Sequence, residues 1–203
     1  MPADAPADNV RDRLLDAAVT LIRRNGFAAT SVDQLCAAAG VTKGGFFHHF
    51  ASKEAMGVAA ADRWLAVTAP LFATAAYHAA PDALARVLGY LDLREQLIEG
   101  GSDAFTCLAG SLAQEVHLSH PAIARAAAAA IVGHARTLEA DIASALADHG
   151  VDDVDPAGLA LHVQVVLQGA FVVAKAIGDP AVARASVRQL KRYMILLCRG
   201  ETE

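Results

Sequence analysis

Apolar residues recur every three or four positions through most of this chain, and nearly every such run opens on a helix-start signal. Asp8 stands before a run in which Val10, Leu14, Ala17, Ala18, Leu21 and Ile22 share one helical face, and Asn25-Gly26 closes it. Ser31 with Gln34 three residues later forms a capping box, and the short helix it opens stops at Gly40. Thr42 caps a third helix and Ser52 a fourth, which the pattern carries from Lys53 to about Ala80 with Pro70 as its one strained position. Further on, Pro81-Asp82, His120-Pro121, Asp155-Pro156 and Asp179-Pro180 place proline at or near a first helical position, where its missing N–H costs nothing. Helices are therefore expected to begin near residues 81, 103, 121, 156 and 180. The chain reads as all-α, with about nine helices and no strand.

Composition narrows the packing. The 203 residues are 55% apolar and only 5% aromatic, with alanine dominant, a mix that suits close-packed helices. The most apolar stretch, Leu159 to Ile177, is interrupted by His162, Gln164, Gln168 and Lys175, which argues against a membrane span. Residues 1–8 are acidic and rich in Pro and Ala, unlike a signal peptide, and are expected to form a disordered leader on a cytoplasmic protein. Cys36, Cys107 and Cys198 are too scattered for a disulfide framework or a zinc site. The net charge of −5 is unevenly spread: from Asn9 to Lys53 there are six Lys/Arg against three Asp, while from Glu54 onward acids outnumber bases. A small basic module on an acidic body fits a phosphate-facing head.

The segment Thr30 to Phe50 carries the chemistry. Two helices of about two turns meet at a Gly-containing turn, the size and punctuation of a helix-turn-helix. Val32, Leu35, Cys36, Val41, Phe46 and Phe50 make its apolar wedge, which leaves Thr42, Lys43, Gly44, Gly45, Phe47 and His48 facing outward. A recognition helix reads base edges with its N-terminal residues. Adjacent His48 and His49 point about 100° apart and have no third ligand nearby, so no metal is expected.

Over Val10 to about Met56 the sequence resembles the tetracycline-repressor (TetR/AcrR) family of bacterial regulators, through Gly26-Phe27, Thr30-Ser31-Val32, Ala38-Ala39-Gly40-Val41, Lys43-Gly44-Gly45-Phe46-Phe47-His48-His49-Phe50 and Ser52-Lys53. That resemblance implies phosphate contacts at Thr30, Ser31, His48 and Lys53, and base reading at Thr42, Lys43, Gly45 and Phe47. The family usually has Tyr where this chain has Phe47, so an apolar contact must replace any contact of that hydroxyl. It further implies a head over residues 9–52 and, over 53–203, a helical body that binds a small effector and forms a homodimer through its last two helices. The expected function is a ligand-responsive transcriptional regulator, a repressor released from double-stranded operator DNA by a small molecule or an electrophile, with no cofactor and no enzymatic activity.

Locally, Val166, Ala170, Val173, Leu190, Tyr193 and Leu197 offer apolar stripes for the dimer seam. Trp64, Phe72, Phe105, His117, His134, His162 and Phe171 fall on helices expected to surround the effector, each either a ligand contact or an ordinary core or surface residue. Cys107 is either a small buried hydrophobe or a nucleophile activated by a cation such as Lys175, and its surroundings resemble a branch of the family that responds to electrophiles. Gln114-Glu115 reads as pocket-lining or solvated. No nucleophile elbow, phosphate loop or metal cluster is found, and the alternative from another class is a helical ligand-binding or scaffold protein that leaves DNA alone.

Overall fold

The computed structural model describes residues 9–199, so the expected leader lies outside the described residues. Among them it has ten α-helices and no strand: α1 Val10–Asn25, α2 Val32–Ala39, α3 Lys43–His49, α4 Lys53–Ala73, α5 Ala83–Gln96, α6 Ser102–Phe105, α7 Leu108–Val116, α8 Pro121–Asp148, α9 Pro156–Ile177 and α10 Pro180–Arg199. The start signals act where expected, with local corrections. Asn9 caps α1 by accepting the Arg11 N–H, while the expected cap, Asp8, lies outside the described residues. Ser31 and Gln34 form both bonds of the capping box, and Thr42 Oγ1 accepts the Gly45 N–H. Gly40 ends α2 at φ 65°, the left-handed region where a Cβ is unfavourable. Helix α4 ends at Ala73, seven residues short of the expected end. Beyond it the chain turns into a 3₁₀ segment, Ala76–Ala79, in which Tyr77 Oη donates to the carbonyl of Phe72 and His78 Nε2 lies 3.0 Å from the same oxygen.

The chain divides into two compact units. One takes the described residues to Val67 together with Leu108–Ala130, and the other takes Thr68–Cys107 with Ile131 onward. Helices α4 and α8 therefore each contribute one stretch to both units. In the first unit α1 packs on α2, α3 and α7, burying Leu14, Ala18, Ile22, Leu35, Phe46, Leu108 and Leu112. In the second, α5, α9, α10 and the later part of α8 bury a core that includes Leu84, Tyr90, Leu91, Ile142, Val163, Leu167, Val187 and Met194. Burying side chains of this size stabilises by roughly 1.5–3 kcal/mol each before the cost of ordering them. Helix α9 alone among the described helices is long and apolar enough to cross a membrane, and its inner face lies in this core.

Candidate nucleic-acid interface and effector cluster

The outward surface of the first unit is built on α3. Phe46 and Phe50 are buried with their rings 5.6 Å apart, and this anchors the helix so that Thr42, Lys43, Gly44, Phe47 and His48 are exposed and Gly45 and His49 half-buried. Phe47, half exposed at 51%, leans edge-on against Phe46 at 5.2 Å, leaving a large apolar side chain facing water with nothing of its own unit above it. Lys43 Nζ pairs with Asp33 at 3.0 Å, and both side chains are well exposed. Such a pair contributes about 0–1 kcal/mol and is readily exchanged for a phosphate or a base edge. At Gly44 a Cβ would meet only the Thr42 hydroxyl at 3.8 Å, and at Gly45 the same hydroxyl at 3.5 Å and Val41 Cβ at 3.8 Å. Internal packing thus does not require glycine at either place, although each lowers helix propensity by about 1 kcal/mol. What the two glycines provide is bare backbone on the outer face.

Two expected phosphate contacts are placed differently. Thr30 is fully buried and its hydroxyl donates to the Gly26 carbonyl at 2.7 Å, so its side chain is structural rather than outward-facing. Lys53 is half-buried: Nζ donates to the Ala28 carbonyl at 3.2 Å and lies 4.5 Å over the Phe27 ring, and burial lowers its pKa while Glu115 pulls it back up. Ser31 stays exposed, and its oxygen accepts the Gln34 N–H.

Glu115 is the main omission of the sequence reading. Placed among pocket or solvated groups there, it accepts the N–H groups of Phe27 and Ala28 at 2.6 and 2.7 Å, clamping the loop between α1 and α2 to α7. Phe27 is the knuckle of this clamp: His120 packs edge-on at 5.1 Å, and a Cβ at Gly57 would collide with Phe27 Cε2 at 2.8 Å and Ile123 Cδ1 at 2.7 Å. The pairing spans 88 residues, and no local pattern in the sequence displays it.

Of the residues expected around the effector, the second unit gathers Phe72, Phe105, Cys107, His134 and Phe171. Phe72 lies 4.6 Å from the His134 ring and 5.7 Å from Tyr90, while Phe105 lies 5.9 Å from Phe171. Gln164 Nε2 donates to Tyr90 Oη at 3.1 Å, so the Tyr90 proton is free to serve His134 Nε2, 3.0 Å away. That chain needs a neutral imidazole, and burial, with the nearby Arg94 charge, holds His134 down at about 4. Cys107 is half-buried and packed against this core. The others lie elsewhere. Trp64 is in the first unit with the Arg23 guanidinium 4.6 Å over its ring, and His117 is exposed just past α7. His162 is exposed on α9 beside Tyr193, and Lys175 is exposed in the last turn of that helix. Tyr90, Arg94 and Gln164, central to the cluster, were not foreseen as site residues. Gln164, a polar residue inside the most apolar helix, was the available signal.

The residues of the expected dimer stripe divide between core and surface. Ala170 and Leu190 are buried in the core, and Val166 and Leu197 pack against it, because the 163-167-170-174 face of α9 turns inward. Val173 and Tyr193 remain open, and with them Leu161, Val165, Val172, Ile177 and Leu196 form an exposed apolar ridge on α9 and α10.

With this geometry in place, comparison with known proteins decides the family. The model of the tetR family of bacterial regulatory proteins matches residues 14–60, and that of the tetracyclin repressor-like C-terminal domain matches residues 83–190, more than half of the chain. The chain belongs to the tetR family. The chain is 44% identical over 57 residues to the HTH-type transcriptional repressor KstR2 of Rhodococcus jostii, a match covering 25% of this chain and 28% of that one. The chain thus covers less than a third of the length of the curated relatives it matches. A tetR-family regulator from Agrobacterium tumefaciens superposes with a TM-score of 0.80 at 22% identity, over 91% of this chain and 96% of the other. A cysteine mutant of CifR, complexed with a 26 bp operator duplex, superposes with a TM-score of 0.73 at 22% identity, over 95% and 98%. As a tetR-family fold, the chain places α2 and α3 as the helix-turn-helix and α5 to α10 as the C-terminal helical domain.

Proposed function

We propose that this tetR-family chain is a homodimeric repressor that holds double-stranded operator DNA through α3 until a small molecule in the second unit releases it. The observation that carries the reading is the outer face of α3: an exposed phenyl ring, a weakly paired lysine and two glycines that internal packing does not require. Bare backbone lets DNA approach closely. Lys43 then reads a base edge, Phe47 meets an apolar edge such as a thymine methyl, and Ser31 and His48 contact phosphate. Lys53 serves the DNA indirectly, by fixing the loop that presents α2. The residue 52 boundary between a DNA head and a ligand-binding body is kept as a functional division, with α7 and the start of α8 braced against the head through Glu115 and Phe27.

The open ridge on α9 and α10 is the dimer seam in this reading, and a two-fold pair sets half-sites about one DNA turn apart or a multiple of it. Release follows if the effector prefers a conformation in which the two heads no longer match successive major grooves, and then ligand and DNA weaken each other by the same factor. Helices α4 and α8 are the available transmitters, since each belongs to both units. The protein works in the cytoplasm by binding alone, without catalysis. Filter binding of the full chain to duplex DNA at 50 and 200 mM salt tests this: several phosphate contacts predict a loss of about a hundredfold or more in affinity. Absence of binding, the outcome a helical scaffold predicts, overturns it.

A further inference from the structure

Arg94 on α5 is the one half-buried cation of the second unit without an oxygen partner among the described residues. Its neighbours in the same bundle are all matched: Arg86 pairs with Asp141 at 2.7 Å, Arg184 donates to the Ile98 carbonyl at 2.7 Å, and Lys191 pairs with Asp92. Glu95, next to Arg94 in sequence, is taken by Arg188 at 2.6 Å. Arg94 Nε, by contrast, is sealed from solvent and donates to nothing. Its guanidinium lies 5.1 Å from the Phe72 ring, 5.8 Å from Phe171 and 5.9 Å from Tyr90. Aromatic faces soften the loss of water but supply no lone pair for an N–H.

The polar groups beside it do not repair this. Gln164, Tyr90 and His134 bond to one another and offer no negative charge. An N–H sealed from water without an acceptor is unfavourable, and a partner arriving from outside would supply the acceptor that the fold does not. The surroundings also specify that partner. A single cation matches a single negative charge, and a planar fork matches a carboxylate. Phe72, Phe105 and Phe171 call for an apolar body attached to it.

We infer that Arg94 anchors the effector, and that the effector is a monoanionic amphiphile whose carboxylate takes the guanidinium while its apolar part lies on Phe72, Phe105 and Phe171. This rests on reading the second unit as effector-binding and adds the chemical class of its ligand. The test is calorimetry on the full-length protein with decanoate and 4-phenylbutyrate, each against its neutral amide. At least one acid binds tenfold or more tighter than its amide. Arg94→Met removes that preference and leaves the amide unchanged, whereas Arg94→Lys retains part of it. Without ligand, Arg94→Met keeps the helical circular dichroism of the wild type and an equal or higher Tm, since it deletes an unpaired charge. Failure of both acids to bind, equal binding of acid and amide, wild-type acid binding by Arg94→Met, or a clear fall in its Tm overturns the inference. Titrating the same compounds into the operator complex separates the two claims. Acids that bind at Arg94 without releasing DNA leave this inference standing and contradict the repressor mechanism, and release by an amide independent of Arg94 does the reverse.

Discussion

The outer face of α3 and the cluster around Arg94 solve opposite problems with the same kinds of residue. On α3 the charge is exposed, loosely paired with Asp33, and followed by two glycines where a Cβ would make only ordinary van der Waals contacts. Around Arg94 the charge is half-buried, ringed by Phe72, Tyr90 and Phe171, and short of an acceptor. In the proposed function the first surface accepts a large polyanion by exchanging weak contacts, at little cost to the fold. In the further inference the second holds an unmet hydrogen-bonding demand that one small ligand satisfies. The comparison shows that a binding surface is marked by what the fold does not need there, and a ligand site by what the fold leaves incomplete.

The largest expected effect concerns the second unit and its symmetry mate. Val165→Arg places a charge on the open ridge of α9 and should convert the dimer to a monomer in sedimentation, while Ala170→Arg, a core position, should instead unfold the chain. A Val165→Arg protein that stays dimeric would remove the ridge from the account. Next comes pH. His134 is neutral in the folded protein down to about 4 but takes up its proton near 6.5 when unfolded, so the unfolded state binds the extra proton in that window. Stability should therefore be full above pH 6.5 and fall by about 3 kcal/mol as pH drops to about 4. Denaturant titrations of His134→Gln should show a flatter profile over the same range, and identical profiles would contradict the buried chain from Gln164 to His134.

Smaller effects test the first unit. Glu115→Ala leaves two loop amides without their carboxylate and should cost about 2 kcal/mol of stability, together with weaker DNA binding although Glu115 touches no DNA. Unchanged stability would show that the clamp is not needed. Smallest in stability, but most selective, are the glycines: Gly44→Ala should raise stability by about 1 kcal/mol and lower DNA affinity, since the added methyl occupies the outer face. A variant that binds DNA as well as the wild type would mean that the glycine serves no close approach.

The difference between the two regions also explains what the sequence could display. The capping box of Ser31 and Gln34, the Gly40 stop and the Thr42 cap lie within a dozen residues of one another, so local rules were enough to outline the helix-turn-helix and its exposed face. The Arg94 cluster draws Phe72, Tyr90, His134, Gln164 and Phe171 from four helices spread over a hundred residues, and periodicity assigns a helix face without saying what meets it. Lys53 and Thr30 show the same limit on a smaller scale. Each sits in the right segment, but the Phe27 knuckle and the Gly26 carbonyl turn them inward. On α9, apolar residues on every face left periodicity without a preferred direction, so the expected stripe mixes core positions, Ala170 and Leu190, with exposed ones, Val173 and Tyr193.

Selection of duplexes from a random DNA library with the full-length protein, run in parallel on Lys43→Ala, tests the central claim most directly. The account predicts that the wild type enriches one two-fold-symmetric sequence and that Lys43→Ala loses preference at a single position of each half-site, at a cost of about 1–3 kcal/mol. Enrichment of no sequence, or a Lys43→Ala protein that enriches the same sequence with undiminished preference at every position, would contradict the assignment of α3 as the DNA-reading surface.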